Sequence, residues 1–185
     1  MKEPFKGECC GNTNFQKEFY HRRGALNGAS AAISLVTDSR TSSALIDELI
    51  NWHIQSLLPS EVSNRLGENQ GFKVDRKIKA LVQNKSGSPL CHVSVSKWCL
   101  ASGLAVDSPE RMERCARLSG DVVAQAAQLL NDQTAGSFKA EHTNVKTVAD
   151  CMSCHGGGHE QKDVSAKMDC LQCHQVSVKC PGFPK

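Results

Sequence analysis

Two short stretches near the carboxyl end carry the residues most able to do chemistry. The first is CMSCH, residues 151–155, and the second is CLQCH, residues 170–174, with fifteen residues between Cys154 and Cys170. Two CxxC pairs at such a spacing can hold a tetrahedral zinc ion through four thiolates. That use leaves His155 and His174 without a role, although each directly follows its pair. Covalent haem uses all six residues. Two thiols add across the vinyl groups on one edge of the porphyrin, and the adjacent histidine reaches the iron from the same segment. The expectation is two c-type haems per chain, bound through Cys151, Cys154, Cys170 and Cys173, with His155 and His174 as axial ligands. The composition of the tail agrees. Beyond Asn131 the chain is poor in large apolar residues and rich in Gly, Ser and Lys. Such a segment buries too little surface to order itself, and a haem supplies the missing apolar body.

A second axial ligand for each iron must come from His21, His53, His92, His142 or His159. His159 lies four residues from His155, a tether of at most about 14 Å. That is too short to pass round the porphyrin to its opposite face, so His159 would serve the second haem or a haem of another subunit. His142 lies nine residues before Cys151 and can reach over the first haem. His142 and His159 are therefore the distal candidates, against a reading of both as solvated loop residues. His53 shares a helical face with Ile46, Ile50 and Leu57, where a histidine is ordinarily a satisfied core residue; capping a haem is its alternative role. His21, beside Arg22 and Arg23, is a surface residue, a ligand or a haem-propionate contact. His92 reads as structural.

Six cysteines lie outside the two motifs: Cys9, Cys10, Cys91, Cys99, Cys115 and Cys180. Buried thiols with one or two disulfides are the plain reading. The alternative is an iron–sulfur cluster drawing on Cys91, Cys99, Cys115 and either Cys9 or Cys10. Cys91 and Cys99 would stand about 12 Å apart on an unbroken helix, so a shared cluster requires a break in the intervening HVSVS.

Positioning these residues falls to helices. The fold class expected is mainly α: a helical domain over residues 1–135, then a loop-rich di-haem segment over 136–185. NFQKEFYHRRGALNGASAAISLVT ends in a small-residue helix whose Gly24, Gly28, Ala29 and Ala32 would admit another backbone closely. SSALIDELINWHIQSLLP has three- and four-residue apolar spacing, a serine cap and a stop at Pro59. A shorter helix is expected over 72–84. Further helices open at Ser88-Pro89 and Ser108-Pro109, each a cap followed by a residue suited to the first turn. The last carries a stripe of Met112, Cys115, Leu118, Val122, Ala126 and Leu129. No alternating strand pattern is present.

The balance of 22 basic against 19 acidic residues, net +3, shows no basic run, which argues against nucleic acid as a partner. No apolar stretch approaches the roughly 20 residues of a membrane span. MKEPFKGECC lacks the apolar region of an export signal. Covalent haem attachment takes place outside the cytoplasm, so the expected location is the periplasm, with the signal not part of this stretch.

GALNGASAAISLV, SGSPLC with Cys91, and ERCARLSGDVVAQAAQLL with Cys115 resemble the redox-active C-GCAxxG-C-C family, although Arg23 stands where that family has its leading cysteine. That helical pattern followed by two CxxCH units resembles the split-Soret cytochromes c of sulfate-reducing bacteria. The resemblance implies a homodimer with two c-type haems per chain, closely stacked. It also implies bis-histidine irons with a ligand crossing between subunits, and an iron–sulfur centre associated with the helical domain. The function expected is electron transfer to and from redox partner proteins in anaerobic respiration. Two other readings compete. One is a haem enzyme reducing nitrite, nitric oxide or peroxide through an open iron position. The other is a filament of haems built by head-to-tail association.

Overall fold

The computed structural model describes residues 24–69, 79–143 and Cys151. His21, Cys9, Cys10, Cys154, Cys170, Cys173, Cys180, His155, His159 and His174 lie outside the described residues, as does most of the expected helix over 72–84. Among the described residues the protein is mainly α, as expected, with no strand. The helices are α1 Gly24–Val36, α2 Ser39–Gln55, α3 Glu61–Asn69, α4 Cys91–Ser102 and α5 Pro109–Thr134.

The core forms where α1, α2 and α5 meet. Ala29 and Ile33 of α1 pack with Leu45 and Leu49 of α2 and with Val122, Ala126 and Leu129 of α5. Each large side chain buried there stabilises the fold by about 1.5–3 kcal/mol. Of the small α1 residues, only Ala29 is buried; Gly24 and Gly28 have open space where a Cβ would project. The close backbone approach expected at those two glycines is therefore not made within the described part of this chain.

α2 begins earlier than its serines suggest. Asp38 holds an extended conformation and its Oδ1 accepts from the amides of Arg40 at 3.0 Å and Thr41 at 3.1 Å. A bond from the Thr41 side chain, and then those from the two amides, hold the Asp38 carboxyl below its ordinary pKa. α5 opens as expected, with Ser108 Oγ accepting from the Arg111 amide at 3.2 Å and Pro109 in the first turn. Its stripe is correct from Leu118 onward, with Leu118 partly buried against the core, and differs before it. Met112 is exposed and Cys115 half-buried, whereas Arg111, Arg114, Arg117 and Asp121 are buried. The reason lies in polar partners from other segments: Arg111 donates to the Val106 carbonyl and Arg114 to Ser94 of α4, and α3, a helix absent from the sequence-based expectation, serves Arg117 and Asp121. Arg117 bonds Glu113 at 2.9 Å, Asn64 Oδ1 at 2.9 Å and the Lys79 carbonyl at 3.2 Å. Asp121 accepts from the Ser60 amide at 2.8 Å, Ser60 Oγ at 2.5 Å and Ser63 Oγ at 2.6 Å, which anchors the start of α3.

Residues 79–84 are not helical, contrary to the periodicity. Asn64 donates to the Leu81 carbonyl at 3.0 Å and accepts from its amide at 3.2 Å, and Glu68 accepts from the Ala80 amide at 2.7 Å. Leu58 and Asn84 exchange backbone bonds of 3.1 Å. With these backbone groups engaged by distant partners, a local helix has no ladder left to form. α4 then starts at Cys91, past Ser88-Pro89, because a tight turn comes first. Gly87, at φ 63, gives its amide to the Ile54 carbonyl at 2.9 Å. A positive φ suits glycine, which has no Cβ to clash. This turn ties the entry to α4 against the end of α2, one residue from His53.

Candidate metal centre

Cys91 therefore enters the fold beside His53, and α5 brings Cys115 to the same place. The three line a cavity of ≈430 Å³, together with Ile50, Leu90 and Arg114. Cys91 and Cys115, 24 residues apart by number (115 − 91), come to line one cavity only through the tertiary fold. Cys99 does not line the cavity. α4 runs unbroken from Cys91 to Ser102, so the expected break in HVSVS is not present, and the two thiols stay about 12 Å apart along the axis. His92 is half-buried in the first turn of α4, outside the cavity wall.

His53 is buried at 3% exposure, but it is not the satisfied core residue expected, since its Nδ1 has no hydrogen-bond partner. Burial first, and then the charge of Arg114, push its pKa down from 6.5 to about 4. Removing an imidazole from water penalises its cation, and a nearby guanidinium adds like-charge repulsion. Arg114 is itself buried at 2% exposure. Its Nη2 donates to Ser94 Oγ at 2.7 Å while its Nε is unpartnered. Leaving a buried polar group unpaired costs about 1–3 kcal/mol. Among the described residues, no three His, Cys, Asp or Glu side chains converge closely enough to hold a single ion. Cys91, Cys115 and His53 are set around one cavity instead.

A second arrangement concerns His142. After α5 ends, Gly136 turns the chain at φ 69 and residues 138–143 run back along α2. There Glu48, buried at 3% exposure, accepts from the Glu141 amide at 3.0 Å and the His142 amide at 2.9 Å. Its other oxygen meets His142 Nδ1 at 2.6 Å, across 94 residues of sequence. Gln55 adds a bond of 2.7 Å to the Thr143 carbonyl. A carboxylate on Nδ1 fixes the tautomer and orientation of an imidazole, raises its basicity and leaves Nε2 to face a metal. His142 is thus oriented as a ligating histidine would be. Cys151, the first thiol of the first haem motif, is half-buried.

Sequence reasoning missed Glu48 and Arg114. A signal existed for Glu48: it is an acid between Leu45 and Leu49 on an apolar face, a position a carboxylate occupies only when paired. Arg114 gave no such signal, since an arginine in the charged stretch ERMERCAR reads as solvated.

No family model matches this sequence. The split-Soret cytochrome c of Desulfovibrio desulfuricans is 34% identical over 154 residues, which span 82% of this chain and 53% of that protein. A solved structure of split-Soret cytochrome c from Desulfovibrio desulfuricans, described as having a novel iron centre, superposes with a TM-score of 0.69 at 33% identity, over 84% of this chain and 63% of that one. The chain spans about half the length of the curated relative it matches. No described helix is long and apolar enough to cross a membrane.

Proposed function

This chain is a relative of split-Soret cytochrome c, and from that premise we propose that it is a di-haem c-type cytochrome that carries electrons. The observation that carries the reading is the doubled CxxCH in a chain so related. The haems, when bound, supply a one-electron couple. Cys151, Cys154, Cys170 and Cys173 hold them covalently, and His155 and His174 bind the irons on one side. His142 and His159 complete the coordination, with at least one crossing to a partner subunit. The bond between Glu48 and His142 supports this for His142, because it prepares Nε2 for iron. Six-coordinate irons leave no position for a substrate, which favours transfer over catalysis. The protein acts as a periplasmic homodimer that exchanges electrons with partner proteins. Exposed Leu35, Val36, Leu100 and Val123 offer apolar surface for a second chain to cover.

The helical domain holds an additional iron–sulfur centre in the cavity of Cys91 and Cys115. Cys9 or Cys10 completes it, and Cys99 takes part only if the end of α4 shifts. The placing of Cys91 and Cys115 around one cavity supports an occupant there. Denaturing mass spectrometry tests the haem assignment: the apoprotein mass plus two haems is expected, and zinc or acid-extractable haem overturns it. Iron in excess of haem, with acid-labile sulfide, is expected for the cavity. Carbon monoxide tests the transfer role: no binding by the intact protein is expected, and one gas-binding iron indicates the enzyme instead.

A further inference from the structure

α1 contains no charged residue and is small or apolar on two opposite sides. Ala29 and Ile33 face the core. Gly24, Gly28, Ala31 and Leu35, spaced four, three and four apart, lie on the other side and are exposed, Leu35 at 85%. A solvated helix carries charged and polar residues on its outer side, whereas one that is apolar all round is a covered helix. The four-three spacing is the seam along which one helix packs on another. Glycine weakens a helix interior relative to alanine, yet at Gly28 a Cβ would meet nothing within 4 Å. A helix from outside the described part of the chain would use that space. α5 continues the face. Met112, Ala116, Ser119, Val123 and Ala127 share its exposed side, and Arg114, Arg117 and Asp121 are buried on the other. Glu113, at the margin, is held by Arg117. α1 and α5 pack on each other. The exposed Asn27 of α1 and Ser119 of α5 line the same cavity, so the two faces adjoin.

We propose that a second copy of this chain docks on this uncharged face, α1 against α1 about a two-fold axis with α5 flanking, and that the backbones approach most closely near Gly28. A two-fold interface lays each patch against itself, so a patch of one charge sign repels its copy and an uncharged one does not. A charged redox partner would find no complementary charge here. The size also fits. Two neighbouring helices about 10–12 Å wide and about 20 Å long offer about 400–500 Å² in projection, and about 600–800 Å² when the relief of the side chains is followed, against about 600–1,000 Å² per partner in a standard interface. The inference rests on the homodimer reading and goes beyond it by fixing which face is joined; Leu100, on α4, lies outside it. Asn27 and Ser119 place the interface beside the cavity of Cys91 and Cys115.

The test uses the full chain with its cofactors, studied by sedimentation equilibrium across a dilution series. A dimer is expected for the unsubstituted protein. A monomer at every concentration overturns the homodimer reading and this inference with it. Ala31→Glu combined with Leu35→Glu sets two acids per chain against their copies and should raise the dimer Kd about 100-fold or more. The haem spectrum and Tm should stay unchanged, because both side chains are already exposed. Val62→Glu, an exposed position on α3, should leave the Kd as it is. A doubly substituted chain with the Kd of the unsubstituted protein overturns the α1 face while leaving the homodimer reading in place. A second measurement decides the matter if the double variant does not fold. A benzophenone amino acid at the exposed position of Ser34, beside the seam, should join two chains on illumination. Links confined to one chain, to its own residues 136–185, show that the tail covers α1 and overturn the proposal.

Discussion

Removing Glu48 probes the join between α2 and residues 141–142. In Glu48→Ala three bonds to a buried carboxylate disappear, two from the amides of Glu141 and His142 and one to His142 Nδ1. Bonds to a charged group contribute about 1.5–3 kcal/mol each, so their gross loss is about 4–9 kcal/mol. Two effects reduce it. The alanine variant no longer has to keep a carboxylate out of water, a cost of several kcal/mol. Residue 141 is also exposed, so water can satisfy its amide. A net loss of about 2–3 kcal/mol remains, which for a chain of this size lowers Tm by about 4–12 °C. The functional effect is separate from stability. Losing the partner of a ligating histidine weakens metal affinity about 10–100-fold, so one haem should turn partly high-spin and accept carbon monoxide while both haems stay covalently attached. Glu48→Gln should fall between the two, because an amide can accept at one atom but presents N–H donors at the other. Differential scanning calorimetry and a carbon monoxide titration of the ferrous protein read the two effects. A variant with unchanged Tm shows that the 141–142 segment is not anchored by Glu48 in solution. One that loses stability but stays fully low-spin shows that His142 is not an iron ligand.

Three further outcomes follow from the same packing. Gly67→Ala should destabilise by about 1–3 kcal/mol in urea unfolding, because its new Cβ would overlap the Arg117 guanidinium, which is held by Asn64 and Glu113; a gain of the roughly 1 kcal/mol that Ala ordinarily brings to a helix would contradict this. With iron removed by a chelator, acid should weaken the fold through His53. Its folded pKa of about 4 lies below the unfolded 6.5, so this contribution is full above 6.5 and is lost as pH falls toward 4, by about 3 kcal/mol. His53→Leu should remove that slope, and an unchanged slope in urea midpoints from pH 7.5 to 4.5 refutes it. Asp121→Ala should melt α3 away from α5 and cost about 2–4 kcal/mol, since the buried Ser60 amide and both serine hydroxyls lose their acceptor; faster hydrogen exchange confined to residues 60–69 is the check.

Covalent haem attachment is read from local sequence. A CxxCH unit contains two thiols and an iron ligand within five residues, so the expectation drawn from the doubled motif needs no tertiary structure. The start of α5 was equally readable, because a serine cap and a proline in the first turn act within one turn of chain. The apolar stripe from Val122 to Leu129 was readable for a similar reason, since helical spacing places those residues on one face. Elsewhere the deciding interactions were long-range. Residues 79–84 have a helical pattern yet run extended, because Asn64 and Glu68 take their backbone groups. The first half of α5 buries arginines in place of Met112, because Asn64, Ser94 and the Lys79 and Val106 carbonyls supply partners that no periodicity contains. Tertiary structure alone brought His53 to Cys91 and Cys115, and Glu48 to His142 across 94 residues. Each of those pairings joins side chains on separate elements, and what a polar side chain does when buried depends on which partner the packing delivers to it.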